Sequence, residues 1–291
     1  MSGRLFTAYA WRMLIVTQVA TAVFGLAACG ADRIIDPPLP TDAEVFSPPL
    51  VYTTWWNMTQ ACSGLTGSLG AVTWYKTNED LRNVSGEALN GYWSSASNRI
   101  VLTQASVHDG GVVRHEMLHA LLRKPGHPRD AFLAKCAGTV VCEGPCIQDA
   151  GPYPTPPEAP IQISGDLIDF VVNVQPANPT PGVDGGFFSI TVSAHSRSPH
   201  WASVTPVSPV GATGGVSFEV RSTSTSAGIA IQELAFDPSQ TIFAPGETKK
   251  QVFDFVIGDD PFSNQLLAGD YIVRGGFAGN WSPYSPFAIG P

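Results

Sequence analysis

The stretch Val107 to Arg123, VHDGGVVRHEMLHALLR, decides how the first half of this chain is read. Ser106 stands where a helix N-cap is expected, and Asp109 three residues on completes a capping-box-like start. Pro125-Gly126 stops the run, because a proline ring clashes with the preceding turn and glycine frees the backbone. A helix from Val107 to Arg123 is therefore predicted. Val112, Val113, Met117, Leu118, Leu121 and Leu122 cover more than one of its faces, so it is expected to be buried on most sides.

Inside that helix stands His115-Glu116-Met117-Leu118-His119. Histidines at i and i+4 lie on one helical face, roughly 5–6 Å apart at Cβ, so both rings can reach one ion. Neutral imidazole is a favoured zinc ligand, and a catalytic zinc keeps one position open for water. Glu116, beside the first ligand, is placed to take a proton from that water, whose pKa the metal lowers to about 7. The bland alternative is a buried helix whose histidines find ordinary hydrogen bonds. Two histidines and an acid are costly to bury on an apolar helix without a partner, which favours a metal.

The segment Val112 to Leu122, VVRHEMLHALL, resembles the active-site helix of zincin metallopeptidases. The resemblance covers about residues 70 to 136. It implies an α+β zincin-like domain, a Zn2+ cofactor, and endopeptidase activity on protein or peptide substrates. It also implies a strand just before the helix that lines the cleft and pairs with extended substrate, for which Arg99 to Thr103 is the candidate. The third ligand departs from the family patterns. Where metzincins carry a glycine and a third histidine this chain has Leu122 and Pro125, and no methionine follows Met117 to build a Met-turn. Glu143, the nearest match to a gluzincin glutamate, sits among cysteines in CEGPC. His127, in Pro125-Gly126-His127-Pro128, is the preferred third ligand, because the Pro-Gly turn can fold it back beneath the helix. Asp130 and Glu143 follow. His108 and Tyr92 are weighed as oxyanion stabilisers and left out of the site, and Arg114 reads as a solvated helix residue.

Outward from the helix, the N-terminus reads as an export signal. Arg4 and Arg12 precede the apolar run Met13 to Ala28, which ends in Leu26-Ala27-Ala28-Cys29-Gly30 and resembles the lipobox of bacterial lipoproteins. Residues 1–29 are then a lipoprotein signal peptide, and lipidated Cys29 anchors the chain to a membrane facing the periplasm or the cell exterior. Residues 30–49 are Pro-rich and polar, the composition of an extended tether. Cys62, Cys136, Cys142 and Cys146 remain, an even number that in an oxidising compartment implies two disulfides of open pairing.

Residues 50–148 form the first domain and 149–160 (DAGPYPTPPEAP from Asp149) a linker. In residues 161–291, β-branched and aromatic runs such as Phe187 to Val192 and Gln251 to Ile257 alternate with Gly, Pro and Asn clusters. An all-β sandwich is predicted, loosely resembling immunoglobulin-like modules of exported bacterial proteins. A formal charge of -8 argues against a nucleic-acid partner. The rival reading is a non-catalytic binding lipoprotein whose sandwich carries the function, protease inhibition included.

Overall fold

A computed structural model of the protein describes residues 37–83, 85–151, 156–181, 186–204, 215–225, 228–235, 241–258, 263–277 and 280–291. The signal segment 1–29 with Cys29, the tether residues 30–36 and the linker residues 152–155 lie outside the described residues. Residues 37–291 cluster as one compact unit of mixed α and β structure, mostly sheet with few helices. Among the described residues no helix is long and apolar enough to cross a membrane.

In chain order the first half contains β1 (Glu44–Val45), α1 (Val51–Ser63), β2 (Thr73–Thr77), β3 (Leu81–Arg82), β4 (Ala88–Leu89), β5 (Gly91–Ser94), β6 (Arg99–Thr103), α2 (Gly110–Leu122) and α3 (Pro145–Ala150). A four-stranded sheet runs β1-β2-β6-β5, with β2 parallel to β6 and the other pairs antiparallel. Against it pack α1, through Tyr52, Trp55 and Trp56, and α2, through Val112, Val113 and Met117. Gly110 and Gly111 each lower helix propensity by up to about 1 kcal/mol. Burial of Val113, Met117 and Leu118, at roughly 1.5–3 kcal/mol apiece, outweighs them.

Helix α2 begins at Gly110, three residues later than the sequence predicts. Asp109 is its N-cap, and the carboxylate accepts the Val112 N–H at 3.1 Å. Ser106 instead bonds the Thr103 hydroxyl. The helix ends at Leu122, with Arg123 in the left-handed region and its N–H on the His119 carbonyl.

Three further expectations are corrected. Residues 37–49 are no free tether: β1 pairs with β2, Phe46 N–H donates to Trp74 O, and Tyr92 and Arg99 donate to the carbonyls of Pro38 and Pro37. Prolines there lack N–H groups but keep carbonyls, and Leu39 and Phe46 supply apolar surface. Strand β6, expected to pair with extended substrate, has no free edge to do so, since it lies between β2 and β5; the strand at that end of the sheet is β5. The linker does not begin at Asp149, which lies in α3.

The second half contains β7 (Ile161–Ile163), β8 (Ile168–Gln175), β9 (Phe187–Ser196), β10 (Ala202–Val204), β11 (Gly215–Ser222), β12 (Gly228–Ala235), β13 (Ile242–Phe243), β14 (Thr248–Val256), β15 (Gly269–Phe277), β16 (Asn280–Trp281) and β17 (Ser285–Ile289). Strand β8 shows why these segments are strands: Ile168, Phe170, Val172 and Val174 point inward while Asp169, Val171 and Asn173 point out, the period of two of a half-buried strand. A β14-β9-β8 sheet faces a sheet containing β12, β11, β15, β16 and β17, with Phe188, Phe218, Phe253, Phe255 and Phe287 in the core between them. The two halves share a core as well, because Phe187 of β9 joins the cluster of α1 and α2 and lies 5.8 Å from Trp55.

The four cysteines form two disulfides, Cys62–Cys136 and Cys142–Cys146. The first ties α1 to the turn that follows Phe132. The second closes the short turn leading into α3.

Candidate metal centre

His115 and His119 project from one face of α2, their ring centroids 4.9 Å apart. The left-handed turn at Arg123 sends the chain back along the helix. His127 thereby meets both rings, at 5.0 Å from His115 and 4.8 Å from His119. Phe132, fully buried in a π-helical turn (Asp130–Lys135), lies 4.9 Å from each of the three rings and forms their floor.

The inner nitrogens converge: His115 Nε2 is 3.1 Å from His127 Nε2 and 3.2 Å from His119 Nε2. Each outer nitrogen faces an acceptor. His115 Nδ1 lies 2.7 Å from the Val141 carbonyl, His119 Nδ1 2.8 Å from the Lys124 carbonyl, and His127 Nδ1 2.9 Å from Asp149 Oδ2. A carbonyl or carboxylate can only accept, so each Nδ1 carries the proton and each Nε2 presents a lone pair. Three lone pairs thus face one another at hydrogen-bond distance with no proton between them, an arrangement that calls for a cation.

Electrostatics point the same way. Burial pushes His115 down to about 4, with the Val141 bond opposing and the neighbouring His127 adding to the shift. Burial also holds His119 well below the usual imidazole range, reinforced by the other two histidines. His127 is lowered by burial against the pull of Asp149. The rings are therefore neutral at pH 7, the form a metal binds.

Glu116 follows the first ligand and is buried. Burial pushes its carboxyl up to about 8, opposed by the Trp93 backbone N–H that donates to it, and its Oε2 has no hydrogen-bond partner among the described residues. A cation held by the adjacent imidazoles would favour the charged carboxylate.

Asp149 is the member that sequence reasoning missed. Its Oδ2 accepts from both the backbone N–H of His127, at 2.7 Å, and the ring Nδ1–H. These two bonds hold its carboxyl below the usual range, the backbone bond first. No periodicity or motif marks it. The other ligands weighed lie elsewhere: Asp130 pairs with Lys135 on the surface, and Glu143 is exposed in the disulfide turn. Ligand atoms of His115, His127 and Cys146 lie within 4.8 Å of one another and could hold a metal ion. Cys146 is bonded to Cys142, however, so it offers no thiolate, and His119 supplies the third nitrogen. Of the remaining residues, Tyr92 donates to Pro38 O, and His108 stacks on Phe187 at 5.1 Å. Arg114 is not solvated. It is 1% exposed and forms a bidentate pair with Asp254 of β14.

Compared with known proteins, the chain matches no family model and no curated protein. Among solved structures it is similar to the Pseudomonas fluorescens alkylpurine DNA glycosylase AlkC bound to DNA containing an abasic site analog, at 14% identity and TM-score 0.31 over 43% of this chain and 31% of that one. It is also similar to β-glucosidase 3B from Thermotoga neapolitana in complex with glucose, at 13% identity and TM-score 0.26 over 43% of this chain and 16% of that one. The chain thus spans about a third or less of the length of these proteins. At such TM-scores neither likeness carries an argument.

Proposed function

We propose that the chain is a zinc-dependent endopeptidase, its first half zincin-like and its second an immunoglobulin-like sandwich. The observation that carries this reading is the convergence of the three Nε2 atoms on a helix in which the buried Glu116 directly follows the first histidine. A tetrahedral zinc with bonds of about 2.0–2.1 Å sets its ligands roughly 3.3 Å apart, and the 3.1 and 3.2 Å spacings fit that demand. Acceptors behind all three rings are the usual outer partners of zinc-binding histidines. His115, His119 and His127 would hold the ion, which supplies a polarised water and a Lewis acid for the scissile carbonyl.

The chain's own residues do the rest. Glu116 Oε2, which has no hydrogen-bond partner among the described residues, would accept the proton from water and return it to the leaving amine. The Trp93 N–H holds that carboxyl in place. Val141 O, Lys124 O and Asp149 fix the rings so that three lone pairs point inward. A structural zinc site needs no base, so a buried Glu116 beside the first histidine favours an enzyme over a binding protein. The two disulfides support export into an oxidising compartment. With the lipobox-like Cys29 they favour a lipid-anchored envelope protein acting on proteins or peptides there.

The test is Glu116→Gln. It should retain about one zinc per chain and lose most peptidase activity, on the order of a hundred- to ten-thousandfold for a missing general base. Full activity in that variant, or no zinc in the wild type, refutes the reading.

A further inference from the structure

The second half of the chain reaches the metal centre through one buried ion pair. Arg114, the residue before His115, donates from both terminal nitrogens to Asp254, at 2.9 and 2.8 Å, and from Nε to the Thr139 carbonyl at 2.6 Å. Asp254 also accepts from the Ser189 hydroxyl at 2.6 Å. The contact is built closely. A Cβ on Gly110 would lie 2.5 Å from Asp254 Oδ2, so a larger residue there would push the carboxylate and its Arg114 partner aside.

Thr139 belongs to a turn held between α2 and β14. Val141 N–H donates to Gly111 O on the helix side, and Val252 N–H donates to Gly138 O on the strand side. Gly138 has a φ of +70°, and a Cβ there would lie 1.7 Å from Lys250 O, so strand and turn are in direct backbone contact. That turn carries the Val141 carbonyl, which accepts the Nδ1–H of His115. One path therefore runs from Asp254 through Arg114 and Thr139 to the group that fixes the orientation and tautomer of a ligand ring.

We propose that Asp254 is a positioning residue for the metal centre, so that the β half completes the site rather than spacing or inhibiting it. The inference rests on the zinc reading above. With Asp254 in place, Arg114 holds the Thr139–Val141 turn against α2, and His115 presents its Nε2 lone pair. Without it, a buried guanidinium is left unpaired and pulls away from the turn it braces. His115 then samples both tautomers, one of which carries a proton on the metal-binding nitrogen.

Asp254→Asn, of the same shape, tests this in the full chain with Zn2+ as the probe. Chelator competition should show affinity at least about tenfold weaker than wild type, the lower end for outer-shell substitutions. Imidazole nitrogen NMR on the metal-free protein should show His115 shifting from pure Nδ1–H toward a tautomer mixture, which a general loss of stability does not produce. Ser189→Ala, which removes one hydrogen bond to Asp254 while leaving the Arg114 pair, should shift the same two readouts by less. It keeps the question open to refutation if Asp254→Asn fails to fold. Folded Asp254→Asn with wild-type zinc affinity and a single His115 tautomer overturns the proposal. No zinc binding by the wild type, with the tautomer shift present in Asp254→Asn, overturns the zinc reading and leaves the positioning path standing.

Discussion

Replacing Asp149 by alanine should weaken zinc binding without unfolding the protein. The carboxylate supports one metal-facing ring through two bonds, from the His127 N–H at 2.7 Å and from Nδ1–H at 2.9 Å. A hydrogen bond to a charged group contributes about 1.5–3 kcal/mol when desolvated. The Asp149 side chain is 55% exposed, so water replaces part of that and about 1–2 kcal/mol is the discounted figure. At 1.4 kcal/mol per factor of ten, zinc should bind roughly five- to thirtyfold more weakly. Asparagine keeps an acceptor but loses the charge, so Asp149→Asn should fall between wild type and Asp149→Ala. Competition against a fluorescent chelator at fixed pH reads the affinity, and a thermal melt checks the fold. The same two bonds are present in the metal-free fold, so stability should fall by no more than about 1–2 kcal/mol. Asp149→Ala binding zinc within twofold of wild type would refute the reasoning, as would Asp149→Asn weaker than Asp149→Ala.

Three other outcomes follow from the same geometry. His127→Ala removes one of three converging nitrogens and should weaken zinc more than Asp149→Ala does, with excess metal partly restoring activity; equal affinities would move the third ligand elsewhere. Removing Cys62–Cys136, which spans 74 residues, should cost about 4.5 kcal/mol against about 2 kcal/mol for Cys142–Cys146, which spans 4, on the loop-entropy relation; denaturant midpoints of the two Cys→Ala pairs decide it, and equal costs would count against that account. The Asp42 carboxyl is lowered by bonds from the Thr77 hydroxyl and the Asn78 N–H, so it favours docking of residues 37–49 above the ordinary carboxylate range, and that contribution is lost as pH falls through its depressed value. Amide exchange of residues 37–49 should therefore lose protection in acid, and Asp42→Asn should be less protected at pH 7 and less sensitive to acid than wild type.

How much of this was legible in the sequence varies with range. Helix α2 could be read because Asp109, the apolar run and Pro125-Gly126 all act within a few residues of one another. Even so, two oxygens competed for the N-cap, and Asp109 took the helix while Ser106 turned to Thr103. The pairing of His115 with His119 is local for the same reason. His127 was reachable because a short turn limits where a histidine eight residues away can go. Helix α1 was missed although Tyr52, Trp55, Trp56, Thr59 and Ser63 repeat at helical spacing and are all buried. Its text, VYTTWWNMTQACS, is rich in β-branched and aromatic residues, which read as strand. Packing against α2 and the sheet overrode that preference.

What stayed hidden depends on contacts between residues distant in the chain. Asp149 meets His127 across 22 residues and Asp254 meets Arg114 across 140. Neither carboxylate differs in its local text from a solvated surface acid. Arg114 illustrates the cost of judging a charge by its neighbours in sequence. On a helix with apolar residues on most sides, a guanidinium has no water-facing position to occupy, so it must be paired, and the search for its partner leads into the other half of the chain. His115, Glu116 and His119 are polar groups of the same kind, whose burial on an apolar helix points to a metal. Arg114, one residue back along the helix, obeys the same rule, and its partner Asp254 on β14 joins the two halves of the chain.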